Sequence, residues 1–223
     1  MSGFLLIIIV GVLGALVQWR LNSVMKKYSK VLSPGGLTGS EVAQRMLMDH
    51  QIYDVSISSV PGELTDHYNP QKKSVNLSQG VYNSNSVAAL AVAAHECGHA
   101  VQHAQGYAPL KLRSKLVPVV QISSTFSQIV IIVGILLVEV FPVIFWLGIA
   151  MFAMVLLFSV ITLPVEYNAS HRALAWLGST NSMTSEELSQ AKVALKWAAR
   201  TYLVAALSAL ATLVYYLGFR DRD

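Results

Sequence analysis

The chain has 223 residues, of which 54% are hydrophobic and only 13% charged, with a formal net charge of +4 at neutral pH. A soluble domain carries about 25% charged residues, so this composition excludes an ordinary soluble enzyme and points to a membrane protein. A single cysteine, Cys97, excludes an intrachain disulfide framework; between polar neighbours in an otherwise apolar stretch it reads as a small buried filler.

Residues 1–21 form the first predicted transmembrane helix, since 4–19 is almost uninterrupted apolar sequence running into Arg20. No basic segment or small-x-small cleavage pattern accompanies it, so it reads as an uncleaved anchor. Lys26, Lys27 and Lys30 follow, which places that end in the cytoplasm and the N-terminus outside. Residues 22–115 then have the composition of a small soluble α+β region. Ser33-Pro34-Gly35-Gly36 breaks the chain, and Thr38-Gly39-Ser40 precedes a helix predicted over 41–49. Residues 52–60 alternate apolar with polar, as a half-buried strand does, and Pro61-Gly62 turns it. After a second turn at Asn69-Pro70, residues 72–77 read as another short strand. Lying just ahead of the next helix, its residues Val75, Asn76 and Leu77 either offer an edge to an extended substrate backbone or simply fill the sheet.

That next helix carries His95-Glu96-Cys97-Gly98-His99. Ser84-Asn85-Ser86 supplies caps, 87–94 is an apolar run, and Gly106 suits the stop. Residues four apart on a helix share a face about 6 Å apart along the axis. Two neutral imidazoles at that spacing can close on one Zn²⁺ at about 2.0–2.1 Å each. Glu96 points to a neighbouring azimuth, from which it can take a proton from a water at the metal without occupying a ligand position. The alternative, two histidines packed for bulk, leaves costly polar groups in an apolar helix. The pattern therefore predicts a zinc site competent to hydrolyse an amide bond. His103 stands about 12 Å along the helix from His95, too far to join the same ion.

Residues 116–138 form the second predicted transmembrane helix; Gln121, Ser123, Ser124, Thr125, Ser127 and Gln128 give it a face suited to protein or a water-filled cleft. A short connection without basic residues leads to the third, residues 143–164, the most uniformly apolar stretch. A second cytosolic region, 165–200, begins on a continuing helix with Glu166 and includes the capping-box pattern Thr184-Ser185-Glu186-Glu187. Residues 201–219 form the fourth transmembrane helix, before Arg220-Asp221-Arg222-Asp223. Of the 16 lysines and arginines, ten lie within 20–115 and four within 172–200, so both long loops belong on the cytoplasmic side. The predicted fold is mainly α: a multi-pass membrane protein of four transmembrane helices with a small α+β zincin-like cytosolic domain.

A catalytic zinc wants a third protein ligand. Glu139 falls on the opposite side of the membrane, and capping accounts for Glu186 and Glu187. Glu166 remains, as a ligand or as an interfacial acid paired with Arg172 or a lysine. The runs His95-Glu96-Cys97-Gly98-His99-Ala100, Glu166-Tyr167-Asn168-Ala169-Ser170-His171-Arg172-Ala173 and 66–82 resemble the YugP-type neutral zinc metallopeptidases of bacterial membranes. More broadly the chain is similar to gluzincin membrane proteases of the HtpX and CAAX-processing type. That resemblance implies Glu166 as third ligand, within an E-x-x-A-D pattern whose Asp is Ser170 here. It also implies a bacterial cytoplasmic membrane.

The expected function is a membrane-embedded zinc metalloendopeptidase, with Glu96 as base, His95, His99 and Glu166 as ligands, and His67 as a candidate oxyanion donor. The alternatives are a site-2-type intramembrane protease and a non-catalytic zinc-binding scaffold. Against the former, no Leu-Asp-Gly triplet supplies an aspartate ligand and the run before His95 is too short to span. The expected partners are the lipid bilayer and a membrane-protein or peptide substrate, with no nucleic acid.

Overall fold

A computed structural model describes residues 2–220; Met1 and residues 221–223, at the two ends of the predicted segments, lie outside the described residues. In chain order the elements are α1 (Ser2–Tyr28), α2 (Gly39–Asp49), β1 (Ser56–Val60), β2 (His67–Asn69), β3 (Ser74–Ser78), α3 (Gln79–Tyr82), α4 (Val87–Ala104), α5 (Ala108–Leu136), α6 (Pro142–Ser179) and α7 (Ser185–Arg220). Four of these, α1, α5, α6 and α7, are long and apolar enough to cross a membrane. The described residues are thus mainly helical with one small sheet, the class expected from composition.

The chain divides into two compact units. One holds the start of α1, Lys111–Pro164 and the end of α7. Its helices meet through small residues: a Cβ on Gly134 would lie 2.4 Å from the Phe145 Cα, and one on Gly148 would lie 2.9 Å from the Ile131 backbone nitrogen. Such close approach is how apolar helices gain packing where no hydrophobic drive separates them from lipid. Ile131, Phe145 and Ile149 form the buried cluster here.

The helix limits differ from expectation in an instructive way. The second span was expected at 116–138, but α5 already starts at Ala108, with only Gln105, Gly106 and Tyr107 between it and α4. Pro109 falls in its first turn, where a missing N–H costs nothing. Likewise the capping-box helix and the span expected at 201–219 are one helix, α7, of 36 residues. At 38 residues α6 is about 57 Å long, against about 30 Å of hydrocarbon, so a spanning helix of this length must continue beyond the bilayer. Pro164 costs it the partner of the Val160 carbonyl without ending it.

The other unit comprises Trp19–Leu110 and Val165–Ala199. Its sheet has the order β1-β3-β2, with β1 parallel and β2 antiparallel to β3. The strand expected over 52–60 is confined to Ser56–Val60, because Gln51 has a φ of 57° and the Ile52 N–H still closes onto Leu47 of α2. β2 and α3 have no counterpart in the sequence reading: three or four residues are too short to show a period. The Thr38–Glu41 capping box starts α2, each side chain bonded to the other's backbone N–H. The core is built from Val42, Met46, Val75, Leu77, Leu90, Cys97 and Val101, with Ala173, Trp176 and Leu177 from α6. The Trp176 indole N–H donates to Asp49 at 2.9 Å, giving its one polar atom a partner.

Candidate metal centre

α4 is held in place at both ends. The Ser86 side chain accepts from the Ala89 N–H at 3.3 Å, and Gly106, with a φ of 67°, takes the left-handed position just past the last turn. Between them, Gly98 lets the helix approach α6 closely: a Cβ there would stand 2.6 Å from the Ala169 carbonyl oxygen. That contact sets the motif face of α4 against the turn of α6 that carries Glu166.

The side chains converge as a result. His95 Nε2 and His99 Nε2 lie 3.3 and 3.5 Å from Glu166 Oε2, and all three ligand atoms fall within 4.8 Å of one another. Donors held at 2.0–2.1 Å around a tetrahedral ion sit about 3.3 Å apart, so the spacing fits a zinc-sized site. Two imidazole nitrogens and one carboxylate oxygen also match the ligand count of a catalytic zinc, which keeps a fourth position for water or substrate. Each histidine is oriented from behind: His95 Nδ1 is 3.1 Å from Ser170 Oγ, and His99 Nδ1 is 3.0 Å from Gln102 Oε1. The rings meet edge to face, 4.8 Å between centroids. Glu166 is 2% exposed, so its carboxylate must be met by polar partners, and both imidazoles are among them.

Glu96 stands beside the cluster and outside it. Burial pushes its carboxyl up to about 7, with the nearby Glu166 and Asp66 charges adding to the rise; His95 and the Tyr68 backbone N–H pull the other way. A carboxyl poised there can both take and return a proton at neutral pH. Cys97 faces the core, its thiol 3.5 Å from the Ala43 carbonyl and pushed well above the usual range by burial. It is the filler that the sequence suggests.

The substrate-contact expectations need correction. Val75, Asn76 and Leu77 do not form an edge: β3 is the middle strand, paired on both sides, and Val75 and Leu77 are wholly buried. Asn76 is occupied within the sheet, accepting from Ser58 at 2.8 Å and donating to Ser74 at 3.0 Å. The edges are β1 and β2, and it is the Tyr68 N–H of β2 that is directed at Glu96. The structure does not join His67 to the cluster; its exposed ring is bonded to the Thr65 carbonyl at 2.8 Å. His103 is likewise separate, paired with the Tyr68 hydroxyl at 2.7 Å. His171 is exposed, and Glu187 serves the cap at Thr184. The partners behind the histidines, Gln102 and Ser170, go beyond the sequence reading. Their spacing, three after His99 and four after Glu166, is the signal that could have found them.

Comparison with known proteins gives the same direction. The family described as "Putative neutral zinc metallopeptidase" matches residues 3–221. The chain is 40% identical over 200 residues to "Putative membrane protease YugP" of Bacillus subtilis (strain 168), covering 90% of this chain and 88% of that one. No solved structure matches.

Proposed function

The chain belongs to the neutral zinc metallopeptidase family, and from that premise we propose that it is a membrane-embedded zinc endopeptidase of the gluzincin type. The observation that carries this reading is the convergence of His95, His99 and Glu166 with both imidazoles oriented from behind, and with buried Glu96 adjacent. The three converging side chains would hold the ion. Bound zinc supplies a Lewis acid that polarises the scissile carbonyl and brings the pKa of water down to about 7. Glu96 takes the proton of the attacking water and later delivers it to the departing amine nitrogen, so the amine leaves neutral. Ser170 and Gln102 keep the imidazoles turned toward the site.

The substrate class follows from where the site sits along the chain. Glu166 comes two residues after Pro164, at the end of the third apolar stretch, which puts the chemistry close to the headgroups. Substrates are then membrane proteins or segments near the membrane surface. The lysine and arginine distribution supports a site on the cytoplasmic side of a bacterial inner membrane, with the N-terminus outside. α4 is not among the four helices able to span, which favours this reading over a protease whose motif helix crosses the bilayer.

The test uses the purified full chain in detergent, loaded with zinc, added to solubilised membranes from cells lacking it. New internal termini should appear with the wild type and be absent with Glu96→Gln or after chelation. Equal cleavage by Glu96→Gln, or none by the zinc-loaded wild type, overturns the assignment.

A further inference from the structure

We propose that Gln102 is a positioning residue of this centre: its amide decides which nitrogen of His99 faces the ion, and ties that choice to the backbone beside Glu166. The proposal rests on reading His95, His99 and Glu166 as a metal site.

Gln102 has no exposed surface, yet it is an amide where leucine or methionine would fill the same space. A buried amide is costly unless all its groups are paired, so its neighbours define what it does. Its Nε2 lies 2.8 Å from the Val165 carbonyl oxygen and 2.9 Å from Asn168 Oδ1. Its Oε1 lies 3.0 Å from His99 Nδ1. A backbone carbonyl can only accept, so the nitrogen end of the amide must face Val165; the flipped amide would set two carbonyl oxygens against each other. The oxygen end therefore faces His99, and it too can only accept. His99 Nδ1 must carry a proton. In a neutral ring that leaves Nε2 with its lone pair, on the side where Glu166 Oε2 sits 3.5 Å away. Ser170 has no such power over His95, because a hydroxyl donates or accepts equally well.

The same amide also grips α6. Val165 is the residue immediately before Glu166, and Asn168 Oδ1 accepts a second bond from Arg172 Nε at 2.7 Å. Arg172 in turn donates to Gln105 Oε1 at 2.7 Å. The result is a chain of bonds that runs from His99 to Gln102, across to Val165 and Asn168 of α6, and back through Arg172 to Gln105 at the C-terminal cap of α4. Gln102 is its buried centre, and it links the orientation of one ligand to the placement of another.

The test compares zinc affinity of the purified full-length wild type and Gln102→Met, by competition with a chromophoric chelator. Methionine keeps the volume and removes every polar contact. Affinity should fall about 10- to 100-fold, the usual cost of losing a partner behind a ligating histidine. Nitrogen-15 spectra of the zinc-loaded, histidine-labelled wild type should place a proton on His99 Nδ1, a readout that holds even if Gln102→Met does not fold. Wild-type affinity in Gln102→Met, or a proton on His99 Nε2, overturns the proposal and leaves the metal centre standing. A wild type that binds no zinc overturns the centre itself, and this proposal with it.

Discussion

At the scale of single residues, Glu96 is the side chain whose environment most constrains its behaviour. Its carboxyl rises from an ordinary 4.5 to about 7 in the folded, metal-free chain. Folding therefore takes up a proton between those values, and the stability it contributes is present below about 4.5 and lost as pH rises through about 7. Glu96→Gln removes the buried charge, so at pH 8 the metal-free variant should be more stable than wild type by up to about 3 kcal/mol. The gap should close toward pH 4, as unfolding midpoints at the two pH values would report. In the zinc-loaded protein the same change should leave metal content intact and lower turnover by about 10²–10⁴-fold. A stoichiometric zinc assay beside the rate measurement separates the two effects. His95 and His99 are readable from sequence because a four-residue spacing is a property of one helix. Ser170 is harder, since its contact with His95 depends on how two distant segments meet; Gln102 lies three after His99 on one helix, but its bonds to Val165 and Asn168 depend on the same meeting.

At the scale of elements, the decisive contact is α4 against α6 at Gly98. Replacing Gly98 with Ala would gain about 1 kcal/mol of helix propensity. It would also force a methyl to within 2.6 Å of the Ala169 carbonyl oxygen, and backbone cannot step aside as a flexible side chain does. Overpacking of this kind costs about 1–3 kcal/mol, so Gly98→Ala should lower stability on balance. Zinc affinity should fall further still, because the shift that relieves the clash moves Glu166 away from both histidines. A variant with wild-type affinity and melting temperature would show that the approach is not needed. Element order is also where sequence reading runs out. The alternation in 52–60 and the run at 72–77 identify strands, but nothing local says that β3 pairs on both sides, between β1 and β2. Sheet order is a long-range outcome, decided here by the three-residue β2 and the Asn69 turn, whose side chain accepts from Gln71 and Lys72 at 3.0 Å.

For the molecule as a whole, four apolar stretches and sparse charge are legible directly, because hydrocarbon imposes its length on any helix that crosses it. The continuation of the third span past Glu166 is legible too, but the fusion of the capping-box helix with the fourth span is not: nothing local in the polar sequence says that α7 runs unbroken from Ser185 to Arg220. The proposed orientation rests on charge. His95 and His99 precede the second apolar helix and Glu166 follows the third, so two crossings would return the chain to the side it left, and the basic residues favour the cytoplasm for that side. On that proposal Ser185, exposed at the start of α7, shares the cytoplasmic side, and residues following the fourth apolar helix fall outside. In a Cys97→Ser background, Ser185→Cys should be shielded from an impermeant thiol reagent in intact cells and labelled once they are permeabilised. A cysteine appended after Asp223 should be labelled without permeabilisation. Cys97 itself adds little signal even where retained, since it is fully buried with its thiol held protonated. The reverse labelling pattern would place the zinc site outside the cell and move its substrates to the outer membrane surface, with the ligand geometry unchanged.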